Sequence, residues 1–79
     1  MTPNPASVYV AFSWEFPLLE GSALLIINDN SGKSIEQKTI STKNGQWIWD
    51  TREINNGVYY YQVKSDGQDF CAGKVIVSK

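Results

Sequence analysis

The sequence predicts an all-β domain, a two-sheet antiparallel sandwich of six or seven short strands. Two observations carry this. Apolar residues recur at period 2 in several short runs, and no long stretch has helical period. Between the runs, clusters of Gly, Asn, Asp, Ser and Pro recur roughly every ten residues, the spacing of a sandwich rather than of a parallel α/β unit.

The chain opens on Thr2-Pro3-Asn4-Pro5. Each proline fixes its own φ and pushes the preceding residue out of the helical region, so residues 1–6 read as an extended or turn-like linker and residues 7–79 as the domain. Residues 7–14 alternate, with Val8, Val10, Phe12 and Trp14 on one face. Glu15-Phe16-Pro17 breaks the run, and Glu20-Gly21 marks a turn. Residues 22–28 are nearly continuously apolar, as in a strand covered on both faces. Asn28-Asp29-Asn30-Ser31-Gly32 is dense in turn formers, so residues 33–42 return as the second arm of a hairpin. Asn44-Gly45 suits a type I′ turn, and Trp47, Ile48 and Trp49 make a short strand after it. Asn55-Asn56-Gly57 turns the chain again. Residues 58–65 then alternate clearly, Tyr59, Tyr61 and Val63 against Val58, Tyr60 and Gln62. Asp66-Gly67 signals a hairpin into residues 68–77, with a bend expected at Gly73. The chain stops on this final strand.

Composition narrows the function. The chain has 79 residues, 42% of them apolar and 19% charged, which makes it a small globular domain with one thin core. A net charge of −1 with scattered cations gives no basic field for nucleic acid or an anionic membrane. No apolar run approaches the roughly 20 residues of a membrane-spanning helix. Met1 is not followed by a basic and then apolar stretch, so no signal peptide is expected; the chain is either cytoplasmic or a piece of a longer exported protein. Cys71, the only cysteine, reads as a small core hydrophobe.

Catalytic chemistry is poorly supplied. There is no histidine, hence no neutral-pH general base of the usual kind and no His-based metal site or triad. The carboxylate pairs Asp66/Asp69 and Glu15/Glu20 would need to face each other across a cleft that a core this small does not provide. Asn28, Asp29, Asn30 and Ser31 offer oxygens in one loop but lack the spaced ligands of a calcium loop; the simpler reading is a turn whose side chains bond their own backbone. No enzyme, metal or cofactor is expected. Trp47 and Trp49 share a strand face. They fill the core, or, if exposed, form a stacking platform for a sugar or peptide.

Several motifs, in order, give the chain a family likeness: Pro3-Asn4-Pro5 before an alternating strand; Ile26-Ile27-Asn28-Asp29-Asn30-Ser31-Gly32-Lys33, then Ile35; Gly57-Val58-Tyr59, continued by Tyr61 and Val63; and Lys74-Val75-Ile76-Val77, then Ser78-Lys79. In this the chain resembles the type A C-terminal sorting domain of proteins exported by the type IX secretion system of Bacteroidetes-type bacteria. It departs from the pattern in carrying Ile54 where a leucine is usual, and in its tryptophan-rich residues 45–52. That stretch is similar to the Ig-like module of flagellar hook-capping proteins, which keeps open a structural or adhesive Ig-like module that binds carbohydrate or protein.

The resemblance implies a seven-stranded Ig-like β-sandwich at the end of a larger cargo protein. It implies recognition by an outer-membrane translocon and a shuttle protein, removal by a sortase, and a path through the periplasm to the cell surface or extracellular space. The residues it points to are Pro3, Asn4, Pro5, Asp29, Gly32, Gly57, Tyr59, Lys74, Val75, Val77 and Lys79. Physically, Gly32 and Gly57 would serve turn geometry, Asp29 would cap its turn, and Tyr59 would enter the core with its hydroxyl near the rim. A terminal edge strand leaves N–H and C=O groups that a partner can read by strand addition, or that a second copy can take in a swapped dimer. Lys74 is then either a charge contact or a solvated guard of that edge.

Overall fold

The computed structural model of the chain describes residues 1–5, 8–65 and 68–79, the side chains of residues 2, 4 and 5 excepted. Its seven strands are β1 (Thr2–Pro5), β2 (Tyr9–Glu15), β3 (Ala23–Asn28), β4 (Ser34–Ile40), β5 (Asn44–Asp50), β6 (Gly57–Ser65) and β7 (Gln68–Val77). One sheet has the order β1-β2-β5, the other β4-β3-β6-β7, and every pairing is antiparallel. This is the Ig-like sandwich.

Period 2 explains what lies between the sheets. Val10 and Phe12 of β2 and Trp49 of β5 meet Leu25 and Ile27 of β3, Tyr59, Tyr61 and Val63 of β6, and Val75 and Val77 of β7. Burial of each such aliphatic side chain contributes roughly 1.5–3 kcal/mol. Phe12 sits at the centre. It stacks on Trp47, ring centroids 5.8 Å apart, and meets Tyr61 edge-on at 5.5 Å. Trp49 meets Tyr59 edge-on at 5.7 Å. The tryptophans therefore belong to the core: Trp49 is buried and Trp47 half-buried against it.

Several sequence expectations change in the folded chain. The opening residues, read as a linker, pair with β2 from Thr2 opposite Ser13 to Pro5 opposite Val10. Proline tolerates this because β1 is an edge strand, where a missing N–H costs no ladder bond. Asn44-Gly45 is no hairpin turn. It begins β5, which crosses to the other sheet and pairs with β2. The glycine is needed there for space: a Cβ on Gly45 would lie 2.8 Å from the Trp14 ring. β3 is not covered on both faces; Leu24 and Ile26 point outward and are half-buried among side chains of their own sheet. The irregularity of the last hairpin lies between Val63 and Lys64 rather than at Gly73, and it turns Phe70 toward Phe16, centroids 5.5 Å apart. The Asp66-Gly67 turn and the start of the first alternating run at Ser7 lie outside the described residues.

Candidate functional site

The motif residues converge on one end of the sandwich and on the strand that leads away from it. At that end the β3–β4 turn holds Asp29 and Gly32. Asp29 Oδ1 accepts hydrogen bonds from the Ser31 backbone N–H (2.9 Å), the Ser31 hydroxyl (2.6 Å) and the Lys33 N–H (3.0 Å). The Ser31 hydroxyl and then the Lys33 N–H hold the Asp29 carboxyl below its ordinary value of 3.8. Gly32 closes the turn at φ 89°, a conformation that costs a residue with a Cβ but not glycine. Asp29 thus caps its turn through a single oxygen that accepts three donors.

Gly57 and Tyr59 sit beside this turn, at the start of β6. Tyr59 enters the core and its hydroxyl donates to the Asn55 carbonyl at 2.6 Å, four residues upstream. This pins the 51–56 loop to the strand, as in the tyrosine corner of Ig sandwiches. Gly57 does not serve turn geometry as expected. Among the described glycines, only Gly21 and Gly32 have positive φ, and a Cβ at Gly57 would meet Tyr59 at an ordinary 3.8 Å.

β7 carries the rest. Val75 and Val77 face inward opposite Tyr59 and Gly57, and both are buried. Lys74 lies on the outer face opposite Tyr60, exposed. Just past the strand, the Lys79 backbone N–H donates to Asn56 Oδ1 and its ammonium to the Arg52 carbonyl, each at 3.1 Å. Arg52 grips Asp50 through two guanidinium nitrogens, the shorter contact 2.7 Å. That pair is exposed, so it contributes little stability. Pro3, Asn4 and Pro5 lie in β1, which runs past β7 at the open side of the sandwich. The side chains of Asn4 and Pro5 are outside the described ones.

Sequence reasoning missed the partner of Gly73. A Cβ there would fall 2.6 Å from the Tyr61 hydroxyl and 2.8 Å from Cζ, because the Tyr61 ring lies flat across the glycine on β7. The glycine makes room for the ring. Burial, with Cys71 nearby, raises the Tyr61 phenol above its ordinary 10.0. The alternation of residues 57–65 signalled the ring's inward face, but nothing in the sequence signalled its neighbour. Sequence reasoning also missed Thr51, whose side chain is wholly buried with its Oγ1 unpartnered among the described residues.

β7 is an edge strand, and its outer backbone edge is paired to no strand of its own sheet. The site is thus an apolar-backed strand edge anchored at a hydrogen-bonded end, suited to recognition by another chain.

Comparison with known proteins gives the family. The family model described as the secretion system C-terminal sorting domain matches residues 1–78, and the chain belongs to that family. No curated protein and no solved structure gives a significant match. The family is a secretion-signal domain of the type IX system, which directs export to the cell surface or extracellular space.

Proposed function

We propose that this domain carries an attached cargo protein across the outer membrane by presenting β7 to the export machinery. The observation that supports this most is the state of that strand. Its inner row is Cys71, Gly73, Val75 and Val77, its outer row Ala72, Lys74 and Ile76, and no strand of the sheet pairs with its far edge. A partner strand added there gains main-chain hydrogen bonds from the edge and specificity from alternate side chains. Lys74 supplies a charge in the middle of that edge. Lys79 holds the strand's far end to the 51–56 loop until it is needed.

In this reading the cargo lies N-terminal to the domain and crosses the periplasm first. A translocon and a shuttle protein of the outer membrane read the folded domain, and a sortase then removes it. The adhesive alternative loses its main support, because Trp47 and Trp49 pack against Phe12 rather than forming an exposed platform.

The test is a periplasmic reporter fused ahead of residues 1–79 in cells that carry the type IX machinery. The reporter is expected at the cell surface. Removing residues 74–79 or replacing Lys74 by Glu is expected to lower surface delivery severalfold. Full delivery by a fusion without residues 74–79 would falsify the role given to β7.

A further inference from the structure

The end of the sandwich opposite the motif residues is built differently. There the β2–β3 connection turns at residues 16–19. The turn is closed by the Leu19 N–H donating to the Phe16 carbonyl at 3.0 Å, and the Phe16 N–H ties it to the Lys43 carbonyl. Phe16 and Leu19 are buried, 7% and 2% exposed, so the turn is pinned on both sides. Leu18 stands between them at 86% exposure, against 54% for Ile76, the next most exposed large hydrophobic side chain. Its position in a tight turn after a proline is one that Asn, Asp, Ser or Gly usually fills. Here the fold displays a leucine on a rigid base.

Leu18 also has apolar company. With Pro17, Phe16 and Phe70 it borders a groove of about 360 Å³, and a second, smaller groove runs along its other side past Phe70. The charged side chains that line both are acidic. Glu15 and Asp69 line the first groove and Glu20 the second. Of the described cations, only Lys64 forms an ion pair with any of these, reaching Asp69 at 4.0 Å with both side chains largely exposed.

We infer that the Leu18–Phe70 end is a second docking surface, which fits a protein partner bearing an apolar socket rimmed by Lys or Arg. Leu18 is the anchor and the groove beside it takes a side chain of the partner. The acidic rim selects a basic surround and repels an anionic membrane. A leucine this exposed on a pinned turn loses its apolar surface from water only when a partner's socket closes over it, and that burial favours association. The inference rests on the secretion reading. The partner is a component of the export machinery that grips this end while β7 is read at its edge.

The experiment uses the same reporter fusion, with wild type, Leu18→Ser, Leu18→Met and the double variant Glu15→Lys/Glu20→Lys. Surface delivery is measured in cells and the melting temperature on purified fusions. Leu18→Ser is expected to deliver at least about tenfold less at unchanged melting temperature, as for loss of an interface anchor. Leu18→Met, a volume-conserving swap, is expected to deliver within about twofold of wild type. The double variant is expected to fall as Leu18→Ser does. If wild type delivers nothing, the secretion reading falls and this surface with it. If wild type delivers and Leu18→Ser equals it, the docking surface alone is overturned. A marked fall in melting temperature for Leu18→Ser overturns it too, by making the side chain structural. So does binding of the domain to phosphatidylcholine vesicles that is lost in Leu18→Ser, because the partner would then be lipid.

Discussion

The two edges of the four-stranded sheet are built on opposite principles. On β4 the row that faces the other sheet reads Glu36, Lys38, Ile40, paired across β3 with Ile27, Leu25 and Ala23. On β7 the corresponding row reads Cys71, Gly73, Val75, Val77. Charges on the inner row of an edge strand make it a poor template, because an added strand would bury them. β4 is thus guarded along most of its length, and the bulge between Ile27 and Asn28 distorts its pairing further. β7 has no inner charge among its described residues and exposes one cation, Lys74, on its outer face. One edge of the sheet is therefore guarded by inner-row charges and the other is not, the difference that the proposed reading of β7 needs.

The contrast can be broken directly. Val75→Asp gives β7 an inner charge beside Tyr59 in the core, and burying an unpaired carboxylate there is expected to cost about 3 kcal/mol or more. Urea unfolding should show it as a large fall in midpoint; a domain as stable as wild type would mean that β7 is not packed as described. Gly73→Ala sharpens the same edge. The new Cβ meets the Tyr61 ring, and an overpacked contact of this kind costs about 1–3 kcal/mol. The double variant Gly73→Ala/Tyr61→Leu should recover most of that loss in the same titration.

A smaller effect is expected at the hydrogen-bonded end that anchors β7. Asp29 has a lowered pKa in the fold, so its contribution is present above the unfolded carboxylate range and is lost as pH falls through the folded value. The melting temperature of Asp29→Asn should lie below wild type near neutral pH, and the two should converge below the ordinary value of 3.8. Parallel curves down to strong acid would mean that the three hydrogen bonds on Asp29 Oδ1 do not depend on its charge. The smallest effect on stability belongs to Lys38→Val on β4, expected within about 0.5 kcal/mol because the side chain is exposed. Its consequence should appear in sedimentation instead, as concentration-dependent association of the newly apolar edge. A strictly monomeric variant would show that the β4 edge is closed by something other than Lys38.

The strand content was legible because period 2 is a local property. Residues 58–65 declare their faces by alternation alone, and the Asp29–Gly32 turn declares itself by residue types that bond their own backbone. The motif residues were legible in the same way. Lys74, Val75 and Val77 sit on one strand, and their faces follow from counting. The misread elements were those whose meaning depends on a distant partner. Asn44-Gly45 has the composition of a hairpin turn, yet the glycine answers to Trp14, a residue from another strand. Gly57 looked like a turn residue and has ordinary backbone geometry, so no structural demand for glycine is visible there. Leu18 gave no signal at all, since exposure of a single leucine has no sequence pattern.

The sequence by itself determined the class of fold, the inner and outer faces of β2 and β6, and the capped turn at Asp29, because each is settled within a few residues by sterics and local hydrogen bonds. It also determined the family, through motifs held in order along the chain. Only the tertiary structure decided which strands are edges, which edge is guarded, and that β5 leaves its neighbour in sequence to pair with β2. Those depend on contacts between residues far apart in sequence, where the energy of closing the sandwich over Phe12 outweighs what any turn prefers locally.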